Sequence, residues 1–264
     1  MHARGPTWIE LTSTLGRTIF GLAIASFGVQ NIFYGDGVFG LEPIPSWIAA
    51  KAAWAYLTGV LLLTSGALIV AGKHVRLAAT VIAGVLSLWF LALQIPRLVL
   101  APQSGGAWTT TFEVLALCGA AWVVSGDASH SPGARFGRVT YALSLPVFGI
   151  LHFVYRGYVA SVIPSWIPSP DVWALITGLS FIAAGFSLLS GLYSRLAATL
   201  VGAMFAVWVV ILHTPRALAA SPGRSEWTSL IIALAMSGGA WIIAGVVESL
   251  VVHRAPARSV IPSR

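Results

Sequence analysis

LAATLVGAMFAVWVVILHTP, residues 196–215, decides the fold: it runs twenty positions without an Asp, Glu, Lys or Arg. A helix needs ~20 mostly apolar residues to cross the hydrocarbon of a bilayer, and this stretch meets that length. Outward from it, charge-free runs recur at 18–35, 52–72, 77–96, 139–155, 172–194 and 227–247. An eighth, about 107–126, is interrupted only by Glu113. Backbone polar groups in lipid need internal partners, and no barrel-type alternation is present, so these runs predict helices. The 264 residues are 57% hydrophobic and 9% charged, against about 25% charged in an average soluble domain. A surface so poor in charge faces lipid. The expectation is an all-α integral membrane protein of eight transmembrane helices.

Composition also excludes. Cys118 is the one cysteine, which rules out an intrachain disulfide, a Cys-x-x-Cys redox pair and a thiolate metal cluster. Arg4 and Arg17 ahead of an apolar run imitate a signal peptide, but the same pattern recurs in mid-chain. The net charge of +7 follows from topology and does not call for nucleic acid. With the N-terminus inside, the inner loops hold Arg4, Arg17, Lys73, Arg76, Arg135, Arg138, Arg195, Arg254, Arg258 and Arg264. The outer loops hold Lys51, Arg97, Arg156, Arg216 and Arg224, so ten basic residues face five. The positive-inside rule then predicts a bacterial cytoplasmic (inner) membrane protein, multi-pass, with both termini cytoplasmic.

An internal repeat organises the spans. Ile44-Pro45-Ser46-Trp47-Ile48 returns unchanged as Ile163-Pro164-Ser165-Trp166-Ile167, 119 residues later. At that offset Trp54 meets Trp173, Gly59 meets Gly178, Trp89 meets Trp208, and Pro96-Arg97 meets Pro215-Arg216. Upstream the offset is 121, where Gly16-Arg17 meets Gly137-Arg138 and Phe27-Gly28 meets Phe148-Gly149. An even number of spans per copy gives both copies one orientation. That predicts two parallel-repeat four-helix bundles related by a pseudo-two-fold axis along the membrane normal. The expected division is a cytoplasmic N-terminal segment 1–14, a first unit 15–126, a cytoplasmic linker 127–135, a second unit 136–253 and a cytoplasmic tail 254–264. In each unit the proline-containing Ile-Pro-Ser-Trp-Ile loop reads as an interfacial anchor or as a lid over an outer pocket. Pro96 and Pro215 are expected to end their spans.

Several of these residues carry a family resemblance. Gly137-Arg138, Phe148-Gly149-x-x-His152-Phe153, Ile163-Pro164, Trp173, Gly178 and Ala184-Gly185 open the pattern. Arg195-Leu196-Ala197-Ala198, His213-x-Pro215 and Gly238-Gly239-Ala240 continue it. The chain resembles the DoxX/DoxD family of four-helix bacterial membrane proteins, here as a tandem duplication. The resemblance implies a membrane subunit associated with a redox complex, with quinone as the implied ligand. It carries over no catalytic residue.

Ionisable and amide groups inside spans are costly and mark candidate sites. His152 and His213 lie near the outer ends of their spans, with Arg216 three residues after His213 and on the same face. Tyr155 and Trp173 complete a candidate ligand-binding set of His152, Tyr155, Trp173, His213 and Arg216. The first-repeat counterparts are Asn31, Tyr34, Trp54, Gln94 and Arg97, with amides where the second copy has imidazoles. Glu113 is an intramembrane acid whose counterpart is Ile232, read either as a functional group or as an ion-pair partner of Arg97 across an outer loop. A quinone head group needs polar contacts at its carbonyls and an aromatic-lined slot, which the second-copy set supplies. The opposing reading has the arginines snorkelling to headgroups and the amides joining helices. Two histidines without a third ligand fall short of a metal site. The sequence has no phosphate-cradling loop, nucleophile elbow or nucleotide-binding soluble domain. The chain is therefore expected not to be catalytic alone. Three functions stand open: a quinone-binding membrane subunit of a redox-associated complex, a non-catalytic anchor or accessory subunit, and a small-molecule or lipid carrier. No covalently bound cofactor is expected; partners are the bilayer, further protein subunits and quinone.

Overall fold

A computed structural model describes the backbone of residues 8–126, 131–220 and 223–254. Arg4, Arg258, Arg264, residues 127–130 of the expected linker and most of the expected tail lie outside the described residues. Among those described there is helix and loop but no strand. Helix α1 covers Trp8–Tyr34, α2 Lys51–Val70 and α3 Val75–Trp89. The third rod continues through a π-helical turn, Phe90–Gln94, into α4, Ile95–Leu100, and is followed by α5, Gly105–Ser125. The second half runs α6 Pro132–Val154, α7 Arg156–Val162, α8 Pro170–Ser190 and α9 Ser194–Trp208. A second π-helical turn, Val209–His213, leads into α10 Thr214–Ala219, and α11 spans Arg224–Arg254.

Local chemistry sets these boundaries. Ser104 and Ser131 cap α5 and α6, each accepting from a backbone N–H three residues on at 3.2 Å. Such caps satisfy one of the orphan donors of a helix start. Gly191 ends α8 at φ 83°, a left-handed conformation that glycine adopts without a Cβ penalty. Among the described residues, seven stretches are long and apolar enough to cross a membrane: Lys51–Val70, Val75–Leu100, Gly105–Ser125, Pro132–Val154, Pro170–Ser190, Ser194–Ala219 and Arg224–Val247. The chain thus has the helices of a multi-pass membrane protein. Helix α1, at 27 residues, has the length. Glu10, Arg17, Gln30 and Asn31 interrupt its apolar run, and it is not among the seven.

The prolines do not end their spans as expected. Pro96 and Pro215 enter the first turns of α4 and α10, and the rods continue past both. The physical reason lies one turn earlier. Ile95 N–H reaches back five residues to Phe90 O, and Thr214 N–H to Val209 O. Widening the turn moves aside the carbonyl that a proline ring would strike in an α-helix.

The expected separation into two bundles is also modified. Helix α1 packs on α2 and on α11; α6 packs on α8 and on α5. Helices α3 and α9 lie against α5 and α11, which touch each other at the centre. Of the spans, α11 and α5 are the most enclosed, 67% and 56% buried, so the last helix of each half forms the common core. Each half closes through the first helix of the other, around one hydrophobic cluster. Glycine permits this closeness. A Cβ on Gly238 would lie 2.7 Å from Gly16 O, and one on Gly119 would lie 2.5 Å from Gly137 O. Without a hydrophobic drive between helices in lipid, such small-residue contacts hold the bundle together.

Candidate functional site

In the first half the loop between α1 and α2 folds inward. Val38 and Leu41 are wholly buried and Glu42 is only 4% exposed. Asn31 Nδ2 donates to Glu42 Oε2 at 2.7 Å, and the Thr58 hydroxyl lies 3.0 Å from Oε1. The Trp89 indole donates to the same carboxylate. Gln94 Nε2 donates to Gly40 O and Leu41 O, both at 2.8 Å, fastening the loop from the other side. Burial pushes the Glu42 carboxyl up to about 7, against the opposing pull of its Asn31 and Thr58 hydrogen bonds. The two amides therefore bind this loop and also join helices, Asn31 Nδ2 donating to Thr58 on α2 at 3.0 Å and Gln94 Oε1 accepting from Thr110 on α5 at 3.2 Å.

Arg97 does not pair with Glu113. Its guanidinium donates to Gly40 O at 3.2 Å and to Thr110 at 3.4 Å, because the inward loop brings a carbonyl within reach. Glu113 makes no hydrogen bond or ion pair with the described residues. Tyr34 and Trp54 stand apart from this network. Tyr34 lies under Arg224, 4.6 Å from the guanidinium, and Trp54 is exposed.

The second half is built differently at the same station. Its connecting segment forms α7, which buries none of its residues, before the loop Ile163–Ser169. Nothing folds inward, and a cavity of about 1190 Å³ stands open there. All five expected second-copy residues, His152, Tyr155, Trp173, His213 and Arg216, line it, as does Glu113 from α5. Pockets for small molecules commonly run ~300–1,000 Å³ with apolar walls and a few polar groups. Phe148, Phe181, Phe205 and Trp208 provide such a wall around His152, with the His152 and Phe181 rings 5.3 Å apart. The His152 ring stacks on Trp208 at 6.1 Å. His152 Nδ1 donates to Phe148 O at 2.8 Å, which leaves Nε2 without a partner among the described residues. His213 Nδ1 is buried with no partner.

Arg216 is less free than the sequence reading assumed. Its Nε and Nη2 hold Glu226 in a bidentate pair, both distances 3.0 Å. Glu226 was missed because its counterpart in the first copy is Ala107, so the repeat gives no signal. Tyr155 sits at the lip, donating to Gln103 O at 3.2 Å. Among the described residues no group of three or more His, Cys, Asp or Glu is arranged to hold a metal ion.

A family model described as a domain of unknown function, DUF8561, matches residues 141–244. The matched region contains every second-half cavity residue named above. No curated protein and no solved structure matches the chain.

Proposed function

We propose that this chain is an eight-span membrane protein of two same-sense DoxX-like copies, and that its second copy binds an amphipathic small molecule. The cavity carries the reading: about 1190 Å³, aromatic-walled, with the His152 Nε2 nitrogen lacking a partner among the described residues. Buried polar groups without partners cost free energy, and a ligand that supplies those partners recovers it. The quinone implied by the DoxX resemblance has matching chemistry, a flat apolar ring with two acceptor oxygens. In that reading the protein is the ligand-binding membrane subunit of a redox-associated assembly in the bacterial inner membrane, with both ends cytoplasmic.

The contacts support the duplication. The pairings α1–α2, α3–α5 and α5–α6 recur as α6–α8, α9–α11 and α11–α1, and the π-helical turns fall 119 residues apart. On this reading α1 is the eighth span, with Asn31 turned to the inward loop and Gln30 to Thr228 on α11. The test is direct. Protein extracted in mild detergent is stripped with organic solvent and the extract identified by mass spectrometry. A stoichiometric amphiphile, depleted by Trp208→Ala together with His213→Ala, supports the proposal. An empty extract from the wild-type protein would return the chain to the role of a non-catalytic anchor.

A further inference from the structure

The first half contains its own answer to what the second half binds. Asn31 and His152 occupy one station. A Cβ on Gly59 would lie 3.0 Å from Asn31 Cβ, and one on Gly178 would lie 2.9 Å from His152 Cβ. The next residue back is a threonine in both, Thr58 and Thr177, each with its hydroxyl 2.9–3.0 Å from the carbonyl oxygen four residues earlier. Trp89 corresponds to Trp208. In the first half these three side chains, Asn31, Thr58 and Trp89, surround the carboxylate of Glu42. In the second half His152, Thr177 and Trp208 face the cavity, and nothing among the described residues fills their centre. His152 Nε2 and the Trp208 indole N–H have no partner among the described residues.

We propose that the cavity takes a carboxylic-acid amphiphile of the fatty-acid class, its head seated among His152, Thr177 and Trp208 as Glu42 is seated in the first half. This rests on the reading that the cavity binds an amphiphile, and it narrows that ligand from quinone to acid. The proton balance is closed. With Nδ1–H held by Phe148 O, Nε2 either accepts the acid's proton or keeps it and donates to the carboxylate. One proton serves the pair, and no isolated charge is buried. Met204 and Leu200, about one and two turns before Trp208 on α9, and Met236 continue the apolar lining for the tail. Ile176 and Val207, about half exposed on α8 and α9, line the same cavity and leave it open toward the lipid-facing side.

The experiment titrates the full chain in lipid nanodiscs with lauric acid, methyl laurate and a short-chain ubiquinone by calorimetry. Lauric acid is expected to bind once per chain, with methyl laurate at least tenfold weaker. His152→Leu and Thr177→Val should each weaken lauric acid tenfold or more. His152→Asn, which installs the first half's own residue, should retain it and shows that the fold survives. If methyl laurate or the quinone binds as well as the acid, or His152→Leu and Thr177→Val change nothing, the carboxyl assignment is overturned while the amphiphile reading stands. If none of the three ligands binds, both fall.

Discussion

Glu42 is the residue on which the asymmetry of the two halves turns. It sits in a loop, is shielded from water and carries a carboxyl raised from the ordinary 4.5 to about 7 by burial. Between those values the unfolded chain has released a proton that the folded chain still holds. Stability therefore falls as pH rises through that window, by up to about 3 kcal/mol, and levels off above it. Thermal unfolding in detergent from pH 4.5 to 8 measures this, and Glu42→Gln should flatten the dependence; an unchanged slope would remove Glu42 as its source. Much at this scale was legible in sequence. The offset alone sets Asn31 against His152 and Gln94 against His213, and all five second-copy candidates line one cavity. Glu42 and Glu226 were not legible. Glu42 lies where the offset changes from 121 to 119, so no counterpart flags it, and only the inward fold of its loop gives it partners.

At the scale of elements, the π-helical turns aim the third rod of each half. An extra residue per turn rotates everything beyond it by about 100° relative to a regular helix. His213 ends one such turn and Arg216 follows it, both on the cavity wall. Deleting Val210 should convert the turn to α-helix, swing His213 away and bring Pro215 against a helix carbonyl. The expected cost is about 3 kcal/mol, read from detergent melting, with Pro215→Ala in the deletion background recovering most of it. A deletion that costs nothing would show that the turn has no such role. Sequence could not reveal these turns, because a span apolar on nearly every side, as 196–212 is, shows no change of phase. It displayed only the prolines, which read as span ends.

At the scale of the whole molecule, eight apolar runs announced the helices, yet not how the halves interlock. The copies share a core because Gly16 meets Gly238 and Gly119 meets Gly137 across them. Repeat matching finds these glycines but does not pair them across halves. Gly238→Val and Gly119→Val should each cost about 1–3 kcal/mol by overpacking, depart from additivity in the double variant because the adjoining Gly239 and Ala120 pack together, and greatly exceed Leu196→Ala on an exposed face. Denaturant unfolding in mixed micelles reads all four, and tolerance at either glycine would contradict the shared core. The central claim is that the second half is an open ligand site and the first half is filled by its own loop. Its most direct measurement is photolabelling of the purified chain with diazirine-bearing palmitic acid and, in parallel, a diazirine-bearing quinone, with the adducts mapped by peptide mass spectrometry. The account predicts one label per chain, on peptides covering 148–236, with the acid as the stronger probe. Equal labelling of peptides covering 27–94, or no specific label from either probe, would contradict it.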